Sequence, residues 1–437
     1  MITNQMKKHR VVATFSLFIF LLLGIAQPAD AQFYFKNAEI YDFQKHEFNQ
    51  GLHFNFNTER EETQTEFWRD YEELNTGDIK FQLSNRFWNF MDYKQEKIEF
   101  NVEIGPLWGN GNWIDSSSVA NIEADHKIFG VRSNASASYS SRFYYNNKNY
   151  TLVQVKGWGR YDLYNQNSKG ISTDSNLVAT DFDEETTENK FRYGIEARAG
   201  WGIGRFKPMN NFMIADYLLK KYYSHRSFSQ DEILKFGNEI GRIKSQRNIS
   251  TGHKTEIETA QMQEFLNRKM FLIPVNSLEE EWKAGEFLPR FNGNRVEFGP
   301  FFKYFNREPD FIYGGYFLYE HAKYCSVKWN RNFSAGVNYN AYKKQDWILG
   351  EVSMGWSYFI KLKSQIDFGV KYIPGIALND SGETGSLNHG FIPYLGYFTQ
   401  VDSKNRIDVK LAYRLSEDEN LMLSGPEISV AVYRSRY

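Results

Sequence analysis

Lys97-Ile98-Glu99-Phe100-Asn101-Val102-Glu103-Ile104 alternates a charged or amide side chain with an apolar one at every step. Successive side chains of a β-strand point to opposite faces, so this stretch has one apolar face and one densely charged face. The same period returns further along. Phe191, Tyr193, Ile195, Ala197, Ala199 and Trp201 oppose Arg192, Gly194, Glu196, Arg198 and Gly200. Ile366, Phe368, Val370 and Tyr372 oppose Gln365, Asp367, Gly369 and Lys371; Ile407, Val409, Leu411, Tyr413 and Leu415 oppose Arg406, Asp408, Lys410, Ala412 and Arg414. Both signs of charge occupy the polar face, as they do the whole chain: 437 residues hold 52 Lys and Arg against 53 Asp and Glu, a net charge of −1. That balance offers no basic field to hold nucleic acid.

A soluble sandwich with its apolar face inward and a membrane barrel with its apolar face toward lipid share this period. Segment length separates them. From about residue 49 onward the alternating segments run 9 to 14 residues, whereas soluble strands usually have about 5 or 6 and a tilted membrane strand needs about 9 to 11. Aromatic residues make up 17% of the chain. They gather near segment ends, for example at Phe87, Trp88 and Phe90 and at Trp356, Tyr358 and Phe359, where rings suit the two edges of an apolar band. Mean hydropathy of −0.58 is too polar for a bundle of membrane helices. The lone Cys325 rules out an internal disulfide and a Cys-built metal site. The expected fold is an all-β transmembrane barrel.

The first residues set the compartment. Lys7, Lys8 and Arg10 precede an apolar run from Val11 to Ile25, and Ala29-Asp30-Ala31 supplies the small residues of a cleavage site. The run is shorter than the roughly 20 residues of a spanning helix. A signal peptide over 1–31, cleaved after Ala31, and a bacterial outer-membrane location are expected. The mature chain would meet outer-membrane lipid and the barrel assembly machinery.

Strands are expected near 49–57, 64–73, 79–91, 96–105, 117–127, 132–144, 149–163 and 190–203, and again near 294–304, 310–324, 331–341, 347–360, 365–374, 388–400, 405–415 and 426–437. That makes about 16 antiparallel strands, within two either way. An even number on each side of the interruption puts both termini and the interruption on the periplasmic side. The connections 165–189 and 375–387 then lie outside, and Asn146-Asn147-Lys148 and Ser403-Lys404-Asn405 form tight inner links. The halves are 32–205 and 294–437. At the C-terminus, Tyr437 and Tyr433 resemble the aromatic assembly signal of outer-membrane barrels, but Ile428, Val430 and Val432 lie on the opposite phase, so a bulge near Tyr433 or a partial resemblance follows.

Between the halves, residues 206–293 lose the period of two and read as helices, either a small periplasmic domain or a plug. Met209 to Tyr223 is one; Ser229-Gln230-Asp231-Glu232 is a capping box opening a second with Ile233, Phe236, Ile240 and Ile243 on one face; Thr255 to Met270 is a third. The strand end Gly200-Trp201-Gly202-Ile203-Gly204-Arg205, followed by Pro208 and a helix around Ala215, Leu218 and Leu219, resembles uncharacterised outer-membrane barrels of the Bacteroidota. In these a Gly-x-Gly-x-Gly-Arg strand end leads into a helical insertion with a later Arg-rich turn, here at Arg247. The resemblance covers about 190–270 and implies location and architecture, and no known activity; the acidic residue expected after that Arg is absent at Asn248, Ile249 and Ser250. Gly200, Gly202, Gly204 and Arg205 read as a hinge into the insertion, or as close packing where the strand leaves the wall.

No motif marks an enzyme. His46, His53, His126, His321 and His389 have no HExxH, no nearby GxSxG and no acid at a spacing that would orient an imidazole. The acidic runs at Glu59, Glu61 and Glu62, at Asp181, Asp183, Glu184, Glu185 and Glu188, and at Glu417, Asp418 and Glu419 read as solvated outer connections. No metal or cofactor is implied. Charges facing lipid cost a few kcal/mol each near the midplane. Lys97, Glu99, Glu103, Lys156, Arg160, Arg192, Glu196, Arg198, Asp367, Lys371, Arg406, Asp408, Lys410 and Arg414 are therefore expected to line the lumen. The expected function is a passive channel or uptake conduit for small polar solutes, narrowed by the insertion. The alternatives are a non-conducting barrel whose insertion binds a periplasmic protein, and an outer-membrane hydrolase.

Overall fold

A computed structural model describes residues 43–436, apart from 65–67, 118–119, 175–177, 247–254, 269–277, 280, 283–289, 308–309, 343–345, 379–383, 403 and 417–420. The leader, Arg247, the Glu417 to Glu419 run and Tyr437 lie outside the described residues. Six strands precede the interruption: β1 (Phe43–Gln64), β2 (Trp68–Phe90), β3 (Lys94–Ser117), β4 (Ala120–Tyr144), β5 (Asn149–Asp174) and β6 (Ala179–Pro208). Three helices follow, α1 (Asn210–Tyr222), α2 (Gln230–Ser245) and α3 (Thr255–Arg268). Eight strands complete the chain: β7 (Phe291–Phe305), β8 (Phe311–Tyr324), β9 (Trp329–Tyr342), β10 (Asp346–Lys361), β11 (Ser364–Leu378), β12 (Thr384–Gln400), β13 (Asn405–Ser416) and β14 (Gly425–Arg436). Each strand pairs antiparallel with its sequence neighbour, and β1 closes the ring on β14 from Phe48↔Arg436 to Phe56↔Ile428. Closure leaves no strand edge open around the ring.

Fourteen strands are described rather than sixteen. The second half matches the expected boundaries closely; the first half holds six strands because two pairs of expected strands are continuous. Leu74 to Asp78 reads as a turn but pairs with β1 at Asn57↔Thr76 and with β3 at Gly77↔Trp108. Lys127 to Val131 likewise stays paired within β4. Gly77 and Gly130 are packing residues, since a Cβ at Gly77 would lie 2.6 Å from the Trp108 ring and one at Gly130 would lie 2.1 Å from the Leu163 carbonyl oxygen. The long connection expected over 165–189 is mostly ladder, running from Asn165↔Thr187 to Thr173↔Ala179. Within the 375–387 connection, β11 runs on to Leu378 and β12 starts at Thr384. Evenness on both sides survives, so the start of β1, the end of β14 and the insertion share one end.

The outer face carries an apolar band. Its residues include Leu52, Phe81, Phe100, Phe129, Val155, Phe191, Phe298, Phe317, Val337, Leu395 and Leu411, all well exposed. Beyond it the outward residues of the early strands turn polar, to Asn75, Asn110, Lys127, Asn165 and Thr187. β1 to β6 have 22 to 30 residues against 12 to 17 for β7 to β14. The early strands are thus longer than the later ones by roughly 35 Å measured along the strand, at about 3.3 Å per residue. The β6–β7 ladder ends at Gly194↔Phe305, where the Asn306 side chain takes the Tyr193 N–H (2.7 Å) and donates to the Phe191 carbonyl (2.8 Å).

At the opposite end the helices pack on one another. α2 opens on its capping box: the Ser229 hydroxyl accepts the Glu232 N–H at 3.2 Å, and Glu232 accepts the Ser229 N–H at 2.8 Å. Those bonds hold the Glu232 carboxyl below its ordinary range. α1 is buried around most of its girth, at Phe212 to Asp216, Leu218 and Leu219. α2 touches β1, and Asp216 of α1 lies within electrostatic reach of Tyr324 at the end of β8. β1 and β8 stand seven strands apart in the ring of fourteen, so the helices reach between opposite walls at this mouth. Arg290 fastens the return to β7. Its Nη1 donates to the Val327 carbonyl (2.6 Å), and its guanidinium stacks 3.1 Å above the Phe359 ring. Among the described residues no helix is long and apolar enough to cross a membrane.

Candidate functional site

All fourteen charged residues singled out from the sequence share the polar phase of their strands, and most are paired. Lys97 and Arg86 share Glu99 at 2.9 and 3.6 Å; Glu196 meets Arg198 at 2.6 Å; Asp408 meets Lys410 at 3.4 Å; Lys371 stands 3.9 Å from Glu351. Lys156 lies directly across the ladder from Glu196. Asp367 accepts a hydrogen bond from Gln365, Arg406 pairs with Glu47, and Arg414 donates to Asn57 and to the Thr58 carbonyl.

The interior divides into two zones. Where the band gives way to the extended part of β1 to β6, Arg132 holds Asp162 and Glu59 (both 2.9 Å) and Asp78 (3.4 Å), while Arg160 holds Glu59 and Asp162 (both 2.6 Å). Lys190 and His126 both reach Glu72 at 3.2 Å, and the His126 ring stacks on Trp113. Arg192 completes this cluster, beneath which Leu74, Leu107, Ile128 and Tyr164 pack as an apolar core. Only about 20 Å³ stays empty there, room for a water or so. Glu59 is therefore an interior ion-pair member and not a solvated loop residue. In the second acidic run, Asp181, Asp183, Glu184 and Glu185 sit exposed on the upper part of β6.

Toward the helical end the lumen opens into a chamber of about 530 Å³. Lys45, Arg86, Lys97, Arg142, Arg295 and Arg406 line it together with Glu47, Glu99, Glu320 and Asp408. Aromatic rings hold several of these cations: Lys45 stands 4.9 Å from the Trp88 ring, Arg295 4.6 Å from Phe206, and Arg406 5.7 Å from Tyr433. Tyr433 faces inward because the β14 register runs unbroken from Ile428 to Arg436; no bulge resets it. One wall is closed by Arg142 and Tyr150 on Glu297 (2.6 and 2.9 Å) and by Tyr144, Tyr150, Leu152, Phe301 and Tyr316 packed together. Gly200 and Gly202 give those rings their space, since a Cβ there would lie 2.6 Å from the Tyr316 hydroxyl and 2.3 Å from the Tyr150 ring. Gly204 adopts φ 110°, yet the ladder continues past it to Pro208↔Phe291. Arg205 is buried over the Tyr144 ring (4.4 Å), donating to the Met91 carbonyl and to Asp92.

Between the two zones, His53 meets the Ser429 hydroxyl through Nε2 (2.8 Å) and Glu103 through Nδ1 (3.1 Å). Sequence spacing hides this: the partners lie 376 and 50 residues away. Lys45, Glu47, Arg86, Arg132, Arg142, Arg295 and Glu297 are further interior charges that the sequence reading passed over. Extending the period of two past each apolar run would have found them.

No family model matches the chain, and no curated protein matches it. Solved barrels do. The chain is similar to the COG4313 outer membrane channel from Pseudomonas putida F1 (7% identity, 91% of this chain and 96% of that one, TM-score 0.33). It is also similar to the TodX ΔS2S3 mutant monoaromatic hydrocarbon channel (11%, 94% and 93%, 0.32) and to the translocator domain of the autotransporter NalP from Neisseria meningitidis (7%, 90% and 88%, 0.30).

Proposed function

We propose that the chain is a bacterial outer-membrane barrel, delivered by its leader and the barrel assembly machinery, that conducts small polar solutes under control of its helical insertion. The observation that carries this is the chamber. A space of about 530 Å³ lined by six cationic and four anionic groups keeps water and suits small polar solutes, with the two uncompensated cations favouring anionic ones. It lies at the end where α2 meets β1 and α1 approaches β8. The insertion then acts as a cover over the periplasmic mouth, and the packed charge network of β1 to β6 keeps the outer approach narrow.

Planar-bilayer recording of the refolded protein tests this reading against a variant in which a short Gly/Ser linker replaces 210–289. The expected result is a small conductance that rises several-fold in the shortened chain. Equal silence of both proteins overturns it. Unchanged conductance with loss of a co-purifying periplasmic protein would instead make the insertion a docking handle.

A further inference from the structure

The lumen sets a serine, a histidine and a carboxylate in one hydrogen-bonded row drawn from three strands. Ser429 of β14 approaches His53 of β1 at 2.8 Å, and His53 reaches Glu103 of β3 at 3.1 Å. The carboxylate fixes the ring tautomer: a lone pair on Nδ1 would face the negative oxygen, so Nδ1 carries the hydrogen and Nε2 is left to accept from the Ser429 hydroxyl. Glu103 is itself immobilised. Gln82 and Asn101 donate to one of its oxygens (3.0 Å each), and Asn134 (3.3 Å) and Lys80 (3.2 Å) hold the other. The Ser429 side chain stays partly exposed to the lumen, and the His53 side chain keeps 19% of its surface.

We propose that Ser429, His53 and Glu103 form a hydrolytic triad for short-chain carboxylic esters of polar alcohols that enter the lumen. Ser429 Oγ attacks the ester carbonyl carbon as its proton passes to His53 Nε2. Collapse of the tetrahedral adduct breaks the carbon–oxygen bond to the alcohol, which leaves with that proton. Water, deprotonated by the same nitrogen, then attacks the acyl-serine, and the acid and free Ser429 result. Lys410 lies directly across the ladder from Ser429, with its side chain 68% exposed. It can place an ammonium group at the oxyanion. The surroundings choose the substrate. Asn55, Lys80, Gln82, Asn101 and Asn134 are polar, and the residue paired with His53 across β1 and β14 is Ala431. Such surroundings offer no apolar slot to a long acyl chain but admit an acetyl group on a hydrophilic alcohol.

The inference rests on the lumen holding water as proposed above, but its test does not depend on conductance. Purified, folded protein in detergent is treated with a fluorophosphonate and digested, and hydrolysis of p-nitrophenyl acetate is followed separately. The expected label sits on Ser429. Ser429→Ala abolishes label and turnover, and His53→Gln lowers both about 10²- to 10⁴-fold. Glu103→Gln, a change at a positioning residue, lowers kcat with KM unchanged, while the gel-mobility shift of the unboiled barrel confirms that each variant is folded. Absence of label on the folded wild-type chain, or labelling indifferent to His53→Gln, overturns the triad; a conducting but unlabelled barrel separates that failure from failure of the channel reading.

Discussion

At Gly202 the barrel wall and its filling meet with no slack. Any Cβ at this position would lie within 2.7 Å of two Tyr150 ring carbons and its hydroxyl oxygen, and Tyr150 cannot retreat, because its hydroxyl is committed to Glu297 and its ring packs on Tyr144 at 5.0 Å. Gly202→Ala should therefore cost about 1–3 kcal/mol of overpacking, read as a smaller fraction of heat-modifiable barrel after refolding. Asp216 in α1 offers a test through pH. Burial pushes its carboxyl above the ordinary value near 3.8, although Lys220 at 2.9 Å opposes part of the rise. The folded chain thus holds that proton more tightly than the unfolded one. The contribution of Asp216 to helix stability is fullest below about pH 3.8, falls as pH rises through the raised value, and is flat above it. Asp216→Asn should remove that slope, as measured by urea titration of the helical circular dichroism from pH 3 to 8.

Among the elements, the extension of β1 to β6 depends most on charge. The Arg132 side chain keeps 6% of its surface and faces three carboxylates, those of Glu59, Asp78 and Asp162. Arg132→Met leaves these mutually repelling groups with less compensation inside a packed space, which should cost about 3–5 kcal/mol. Amide exchange in β1 beyond Phe56, where β14 no longer pairs with it, should speed up while exchange at Phe48 to Phe56 holds. This same region explains what the sequence conceals. In β7 to β14 a strand is little longer than the band it crosses, so alternation, turn and boundary coincide and all eight strands are legible. In β1 to β6 the outward face turns polar at the band's edge while the strand runs on, and polar stretches such as Leu74 to Asp78 and Asn165 to Asn167 imitate turns. The polar phase that carries the charges was legible from alternation alone. Their partners were not, because contacts such as His53 to Ser429 come from ring closure, which local spacing cannot express.

For the whole molecule, the decisive claim is that one face of one band meets hydrocarbon. Phe100 and Asn110 share the outward phase of β3, ten residues apart, both exposed. A soluble protein would register little difference between charges placed at two exposed positions of one strand. In a barrel spanning a bilayer the positions differ, because Phe100 lies within the apolar band and Asn110 lies beyond its polar edge. Phe100→Arg should lower the unfolding free energy in liposomes by about 2–4 kcal/mol, and Asn110→Arg by about 0–1 kcal/mol. Reversible guanidinium titration of the two variants in vesicles of fixed lipid composition measures both numbers. Equal penalties would mean that the aromatic band faces water or protein, since only a hydrocarbon slab can charge one position and spare another on the same face. The lumen then loses its meaning as a passage, because the charged interior exists to keep ionised groups away from that slab.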